Sequence, residues 1–293
     1  MTALHDIPSA LSGPALVTAL TGIGLGVGFL TGLFGIGGGI VITPMLNVLL
    51  GIPYSLAAGS SLSFALGASS AGWLRHMRLG NVEHKTTVAL SVGAVCGAVL
   101  GGRLHLRLQS TLGEGPLTLV LHILFILTLL AVAWLTWRVP LKEHSGPSLL
   151  QRLPLPPRVT VHGDRERRVS LPGLLAAGLV VGVFGGLLGI GGGVLLVPIL
   201  LLVVGLSVRQ AVGTSLGVVL FLSLAGAITY GAQGQASLWI VAPLLIGSAL
   251  GVQAGAWLCQ KLHAQKIRRA FAVLALLVAA CIAADFVAKW TKP

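Results

Sequence analysis

Charge is what this chain most conspicuously lacks. Of 293 residues only 9% are Asp, Glu, Lys or Arg, against about 25% in an ordinary soluble domain. Residues 7–74 and 210–260 contain none of the four. No water-facing fold keeps such runs hydrated, since about 20 apolar residues already span a bilayer. Acid is the scarcer sign: Asp6, Glu83, Glu114, Glu143, Asp164, Glu166 and Asp285 are all there is, and only Asp285 falls near an apolar segment. A cation pump or a carboxylate proton carrier needs an acidic group within the membrane, so both are disfavoured. The three cysteines (Cys96, Cys259, Cys281) sit in apolar segments with no CxxC or Cys/His spacing, which excludes a disulfide framework and a thiolate metal site. The apolar segments also lack clustered His, Asp or Glu, the groups an integral-membrane enzyme would use. The expected protein is therefore not an enzyme and carries no metal or cofactor. No basic region precedes the first apolar stretch, so no cleavable signal peptide is expected.

What is abundant is apolar surface (55% of residues) and glycine (41 residues). Together they predict an all-α polytopic membrane protein. The formal net charge of +12 does not imply nucleic acid as a partner. Basic residues accumulate in cytoplasmic loops of membrane proteins, where they fix orientation.

The glycines are organised. Gly32-Leu33-Phe34-Gly35-Ile36-Gly37-Gly38-Gly39, followed by four apolar or small residues and Pro44, returns as Gly186-Leu187-Leu188-Gly189-Ile190-Gly191-Gly192-Gly193 ahead of Pro198. Both the first glycines and the prolines are 154 positions apart. The same offset relates Gly51 to Gly205, Gly59-Ser60-Ser61 to Gly213-Thr214-Ser215, Gly80-Asn81 to Gly234-Gln235, and Gly97 and Gly101 to Gly251 and Gly255. The chain is a duplicated unit.

Each unit reads as five apolar segments: about 14–34, 40–50, 54–74, 86–102 and 116–137, then 171–188, 194–204, 208–230, 238–258 and 267–286. The second segment of each set is short for a crossing, so the total lies between eight and ten. An odd number per unit predicts two inverted-topology repeats. The expected organisation is a tail at 1–13, a first transmembrane repeat at 14–138, a basic linker at 139–170, a second repeat at 171–288 and a tail at 289–293. Within the linker, Val159-Thr160-Val161, a His162-Gly163-Asp164 turn and Val169 could pair as a hairpin, but a solvated linker is the preferred reading. Alternating loops collect nearly all basic residues on the linker's side, leaving Arg103, Arg107, Lys289 and Lys292 on the other. The linker is then cytoplasmic, both termini lie outside, and a multi-pass inner-membrane location follows. All six tryptophans fall near segment ends, as an interfacial belt requires.

A glycine break inside a membrane exposes backbone groups that lipid cannot satisfy, so it must face protein or a wet cavity. A helix starting just after the break offers free N–H groups and a positive dipole end, which suits an anion. Close helix packing is the competing account, and it fits Gly93, Gly97, Gly101, Gly247, Gly251 and Gly255, spaced by four. For the triple glycines we favour a functional break, because three in a row lower helix propensity beyond what packing asks for. The expected substrate-binding residues are Gly37, Gly38, Gly39, Gly191, Gly192 and Gly193, with the hydroxyls of Ser60, Ser61, Thr214 and Ser215. The intramembrane amides Asn47 and Gln253 contact substrate or stitch helices. His122, the one histidine inside an expected span, reads as a packed or interfacial residue rather than a proton shuttle.

The duplicated glycine motif, the Ser60-Ser61 and Thr214-Ser215 pairs and the Gly80-Asn81-Val82 turn resemble the sulfite exporter TauE/SafE family. The resemblance implies a membrane transporter exporting a small sulfur oxyanion, sulfite or an organosulfonate, by alternating access. Gln235 in place of Asn81 departs from the pattern in the second copy. Uptake, or export of another small organic anion, remains an alternative, as does a non-transporting membrane subunit or enzyme. The expected partners are a small anionic substrate and the lipid bilayer, with homo-oligomer formation open.

Overall fold

Ten helices and one hairpin make up the described residues of the computed structural model, 13–138, 156–162 and 166–290. Both expected tails beyond these limits and residues 139–155 and 163–165 of the linker, including most of the expected His162-Gly163-Asp164 turn, lie outside them. The helices are α1 (Pro14–Phe34), α2 (Gly39–Pro44), α3 (Tyr54–Arg78), α4 (His84–Leu112) and α5 (Glu114–Arg138). After the hairpin come α6 (Leu171–Leu188), α7 (Gly193–Ile199), α8 (Val208–Gly231), α9 (Leu238–Lys261) and α10 (Ala264–Trp290). Seven of these (α1, α4, α5, α6, α8, α9 and α10) are long and apolar enough to cross a membrane. Helix α3 is as long, at 25 residues, but rich in Ser, Gly and Ala.

The short segments are half-helices. Pro44 and Pro198 stand near the ends of α2 and α7, and each helix continues as one π-helical turn, Met45–Leu49 and Leu200–Val204. Proline lacks the N–H that the next ladder bond needs, and the wider π spacing takes up the fault. Counting these turns, α2 and α7 are about 16 and 18 Å long, roughly half the hydrocarbon thickness.

Two expectations need correction. The fourth segment does not stop near residue 102, because α4 continues to Leu112. Arg103 and Arg107 lie on its exposed face, where long side chains can carry their charge toward water without ending the helix. The linker is also not wholly irregular: β1 (Arg158–His162) and β2 (Glu166–Ser170) pair antiparallel with Val159 opposite Val169. Val169 is buried, Leu171 N–H donates to Pro157 O at 3.0 Å, and the Ser170 side chain caps α6. The hairpin thus hangs on the start of α6 rather than standing free.

Glycine decides which helices touch. A Cβ added at Gly24 or Gly32 of α1 would lie 2.1 or 2.2 Å from the carbonyl oxygens of Leu244 and Val252 in α9, and one at Gly247, Gly251 or Gly255 of α9 would meet those of Thr21, Leu25 and Phe29 at 1.9–2.1 Å. Helices α4 and α6 repeat the arrangement: Gly93, Gly97 and Gly101 face Leu175, Leu179 and Val183, while Gly178, Gly182 and Gly186 face Leu90, Ala94 and Ala98. Each pair is parallel and joins the two halves, the first helix of one against the fourth of the other. Backbones this close leave no room for any side chain, a packing mode suited to a solvent that supplies no hydrophobic drive between helices. The central pair differs. Gly59 of α3 meets Gln235 and Tyr230, Gly226 of α8 meets Leu62, and Gly72 meets Leu216, so α3 and α8 run antiparallel.

Gly26, on the face of α1 opposite the seam, has nothing within 4 Å, whereas Gly28 abuts the Ser248 backbone at 2.6 Å. Gly28→Leu should therefore lower stability by about 1–3 kcal/mol or prevent folding, and Gly26→Leu should leave it within about 0.5 kcal/mol of wild type. Thermal melting in detergent, followed by size-exclusion chromatography, reads the contrast.

Candidate anion site at the paired glycine breaks

Helix α1 ends when Gly35 turns left-handed at φ 74°, and Gly37 and Gly38 follow at 71° and 85°. The second copy traces the same path with Gly189, Gly191 and Gly192 at 67–69°. Side-chain-bearing residues rarely adopt these angles, so the motif is required by backbone shape. Beyond the turn, Val41 and Ile42 return their amides to Gly38 O, and Leu195 and Leu196 return theirs to Gly192 O, at 3.1–3.2 Å. The amides just before them start each half-helix and belong to no helical ladder. The two loops interlock: Gly39 lies against the Ile190 carbonyl, and Gly193 against the Ile36 carbonyl. Ile36 and Ile190 are fully buried.

The carbonyl ends of the broken helices are bonded by side chains from several helices. At the end of α6, Tyr230 O–H donates to Gly186 O (2.8 Å), His105 Nδ1–H to Leu187 O (2.9 Å), Tyr54 O–H to Leu188 O (3.0 Å) and Thr43 O–H to Gly189 O (2.9 Å). At the end of α1, His76 Nε2–H donates to Gly32 O (2.9 Å) and Ser215 O–H to Gly35 O (2.9 Å). Tyr230 and His76 stand 154 positions apart, as do their acceptors Gly186 and Gly32. These bonds correct the expectation for histidine. His76 and His105 are both fully buried within helices, while His122 packs edge-on to Tyr54 with ring centres 5.7 Å apart. The acid inventory changes too: Glu83, buried, caps α4 by accepting from Thr86 N–H.

The expected hydroxyls divide by task. Ser60 accepts from Ser237 N–H at 3.1 Å, and Thr214 accepts from Glu83 N–H at 3.0 Å. These equivalent bonds pin the starts of α9 and α4. Ser215 bridges Gly35 O and Val212 O, and Ser61 is buried without a hydrogen bond. Asn47 donates to Ile52 O at 2.8 Å, tying off its own half-helix away from the glycine loops. Gln253 is exposed on the outer face of α9, so it does not join the other site candidates.

Two residues outside the expected set do face the breaks. A Cβ on Gly37 would lie 3.2 Å from Ser69 Oγ, and one on Gly191 would lie 3.3 Å from Ser223 Oγ. Both serines are fully buried, and neither hydroxyl makes a hydrogen bond. Between them, Val219 midway along α8 is the shared neighbour of Gly37 and Gly191. Ser69 and Ser223 are 154 positions apart; that register was the available signal, overshadowed by the longer run of identities around Ser60. Buried hydroxyls are normally satisfied, so an equivalent pair left open beside the two buried glycine loops is chemically poised to donate to an acceptor-rich ligand.

The assignments separate by stability. Ser215→Ala removes a bridging donor and leaves Gly35 O bare, which should destabilise by about 1–3 kcal/mol. Ser69→Ala and Ser223→Ala remove no bond and should stay within about 0.5 kcal/mol of wild type, measured by the same melting assay.

Comparison with known proteins agrees with this architecture. The profile of the family described as sulfite exporter TauE/SafE matches residues 20–282. The probable membrane transporter protein YjnA of Bacillus subtilis is 29% identical over 257 residues, covering 87% of this chain and 95% of its own length. A probable membrane transporter protein of Haemophilus influenzae is 29% identical over 290 residues, covering 88% and 94%. No solved structure matches. A match across nearly all the described helices, glycine breaks included, makes this chain a member of the sulfite exporter TauE/SafE family, and a multi-pass membrane transporter.

Proposed function

We propose that the protein exports a small sulfur oxyanion, sulfite or an organosulfonate, by alternating access around the paired breaks. The observation that carries this reading is the open Ser69 and Ser223 hydroxyls beside Gly37 and Gly191. An oxyanion offers several acceptors and needs only donors around it. Here the donors are two hydroxyls and the leading amides of Gly37 to Gly39 and Gly191 to Gly193, at the positive ends of two half-helices. The proposed site comprises these residues; Ser60, Thr214, Ser215 and Asn47 hold its frame.

The 154-residue duplication, the antiparallel α3 and α8 and the reciprocal contact of the two loops support inverted-topology repeats. Discontinuous helices at the meeting point of such repeats are where secondary transporters bind substrate. In this reading α3 also crosses, giving eight full spans, and α2 and α7 bring the segment count to ten. The basic linker lies in the cytoplasm and both termini outside the inner membrane, by the distribution of Lys and Arg. Rocking one repeat against the other exposes the site alternately to the two faces. Among the described residues the buried carboxylate, Glu83, is committed to capping α4, so in this reading the membrane potential drives exit, at about 2.3 kcal/mol per charge per 100 mV.

Proteoliposomes loaded with sulfite provide the test. Efflux should accelerate when an interior-negative potential is imposed, and Ser69→Ala with Ser223→Ala should reduce it at least tenfold, as the loss of hydrogen bonds to a charged ligand implies. Potential-independent efflux would remove the electrogenic mechanism. A fully active double variant would remove the site. A second, complementary expectation is that Gly38→Val with Gly192→Val abolishes efflux, since both positions require positive φ.

A further inference from the structure

We infer that the groove between α4 and α8 binds an anionic phospholipid, with its phosphate on Arg103. The two helices lie side by side and run in the same direction, with Thr87 beside Gly217 at one level and Gly102 beside Thr229 and Tyr230 at another. The groove between them has a volume of about 460 Å³. Its wall changes character along its length. Val99, Ala225 and Ile228 make the apolar end, and the other end carries Arg103, Thr229 and Gln233 interspersed with Leu106 and Ala232. Because the helices are parallel, both walls turn polar at the same level.

That level matches a headgroup. Arg103 lies nineteen residues beyond His84 at the start of α4, or about 28 Å along the axis, close to one hydrocarbon thickness. Helix α8 also ends there, at Gly231. Arg103 is exposed and, among the described residues, forms no ion pair or hydrogen bond; nearby Glu114 accepts instead from Gln109 Nε2 at 3.1 Å. Arg107, also exposed, follows one turn later. An anionic phosphodiester meets the Arg103 guanidinium, with Arg107 adding positive charge nearby, while an acyl chain runs down past Ile228 and Val99. A free phosphate ion would use the polar end and leave the apolar end unused.

The test uses the purified full-length chain in a non-charged detergent, titrated with dioleoyl phosphatidylglycerol or dioleoyl phosphatidylcholine and examined by native mass spectrometry. Phosphatidylglycerol should be retained several-fold more than phosphatidylcholine. Arg103→Gln should weaken that retention about five-fold, Arg103→Lys should restore most of it, and Ala232→Trp should remove it by filling the groove. Arg103 is exposed, so Arg103→Gln should melt like the wild type and serve even if the tryptophan variant misfolds. Equal retention of phosphatidylglycerol by wild type and Arg103→Gln would overturn the proposal. Displacement of the lipid by millimolar inorganic phosphate would overturn it as well, pointing to a simple anion contact.

Discussion

A helix that stops inside an apolar medium leaves its last carbonyls with no water to bond, and this chain stops two helices there. Everything near the centre of the fold answers that constraint. Tyr230, His105, Tyr54 and Thr43 come from α8, α4, α3 and α2 to meet four successive carbonyls, Gly186 to Gly189, where α6 ends. His76 and Ser215 perform the same task for α1. Without these donors the breaks would each leave several unsatisfied groups, at a cost of several kcal/mol apiece in hydrocarbon. With them, the chain can turn back on itself and begin a half-helix whose amides point at the middle of the molecule.

The glycine seams follow from the same solvent. Lipid rewards close backbone contact rather than burial of side chains, and α1 with α9, like α4 with α6, approaches until one helix's carbonyls rest on the other's Cα atoms. These seams fasten each half to the other rather than to itself. The central α3 and α8 are held differently, by side chains and by the Ser60 and Thr214 bonds to the starts of α9 and α4. Backbone-tight seams thus flank a centre that is packed largely through side chains, a division that suits the proposed alternating access.

Much of this was legible before any coordinates. The apolar segments, their short second members and the 154-residue duplication all follow from composition and spacing, because the bilayer fixes helix length and the breaks need glycine. Gly93, Gly97 and Gly101 announced a seam by their four-residue spacing. Their partners on α6 could not be named, since local pattern does not reveal which distant helix a small-residue face will meet. The hydroxyls show the same limit. Ser60 and Ser69 both recur at the register, and nothing local tells that one is consumed by Ser237 N–H while the other is left open. Gln253 and Asn47 looked functional for being polar in apolar surroundings, yet one faces outward and the other ties its own turn. Arg103 and Arg107 hide the extension of α4, because long exposed side chains carry their charge to water without breaking a helix.

The bonds at the two breaks are unequal in number: four side chains hold the end of α6, and two hold the end of α1. The repeats are near copies in path, but Tyr54 and His105 have only Val208 and Cys259 at the equivalent positions. Loosening the second break therefore gives up about two more hydrogen bonds than loosening the first, about 2 kcal/mol, or roughly thirty-fold in occupancy. The two breaks are therefore unequal in firmness, and under the proposed alternating access the second is the one that resists opening.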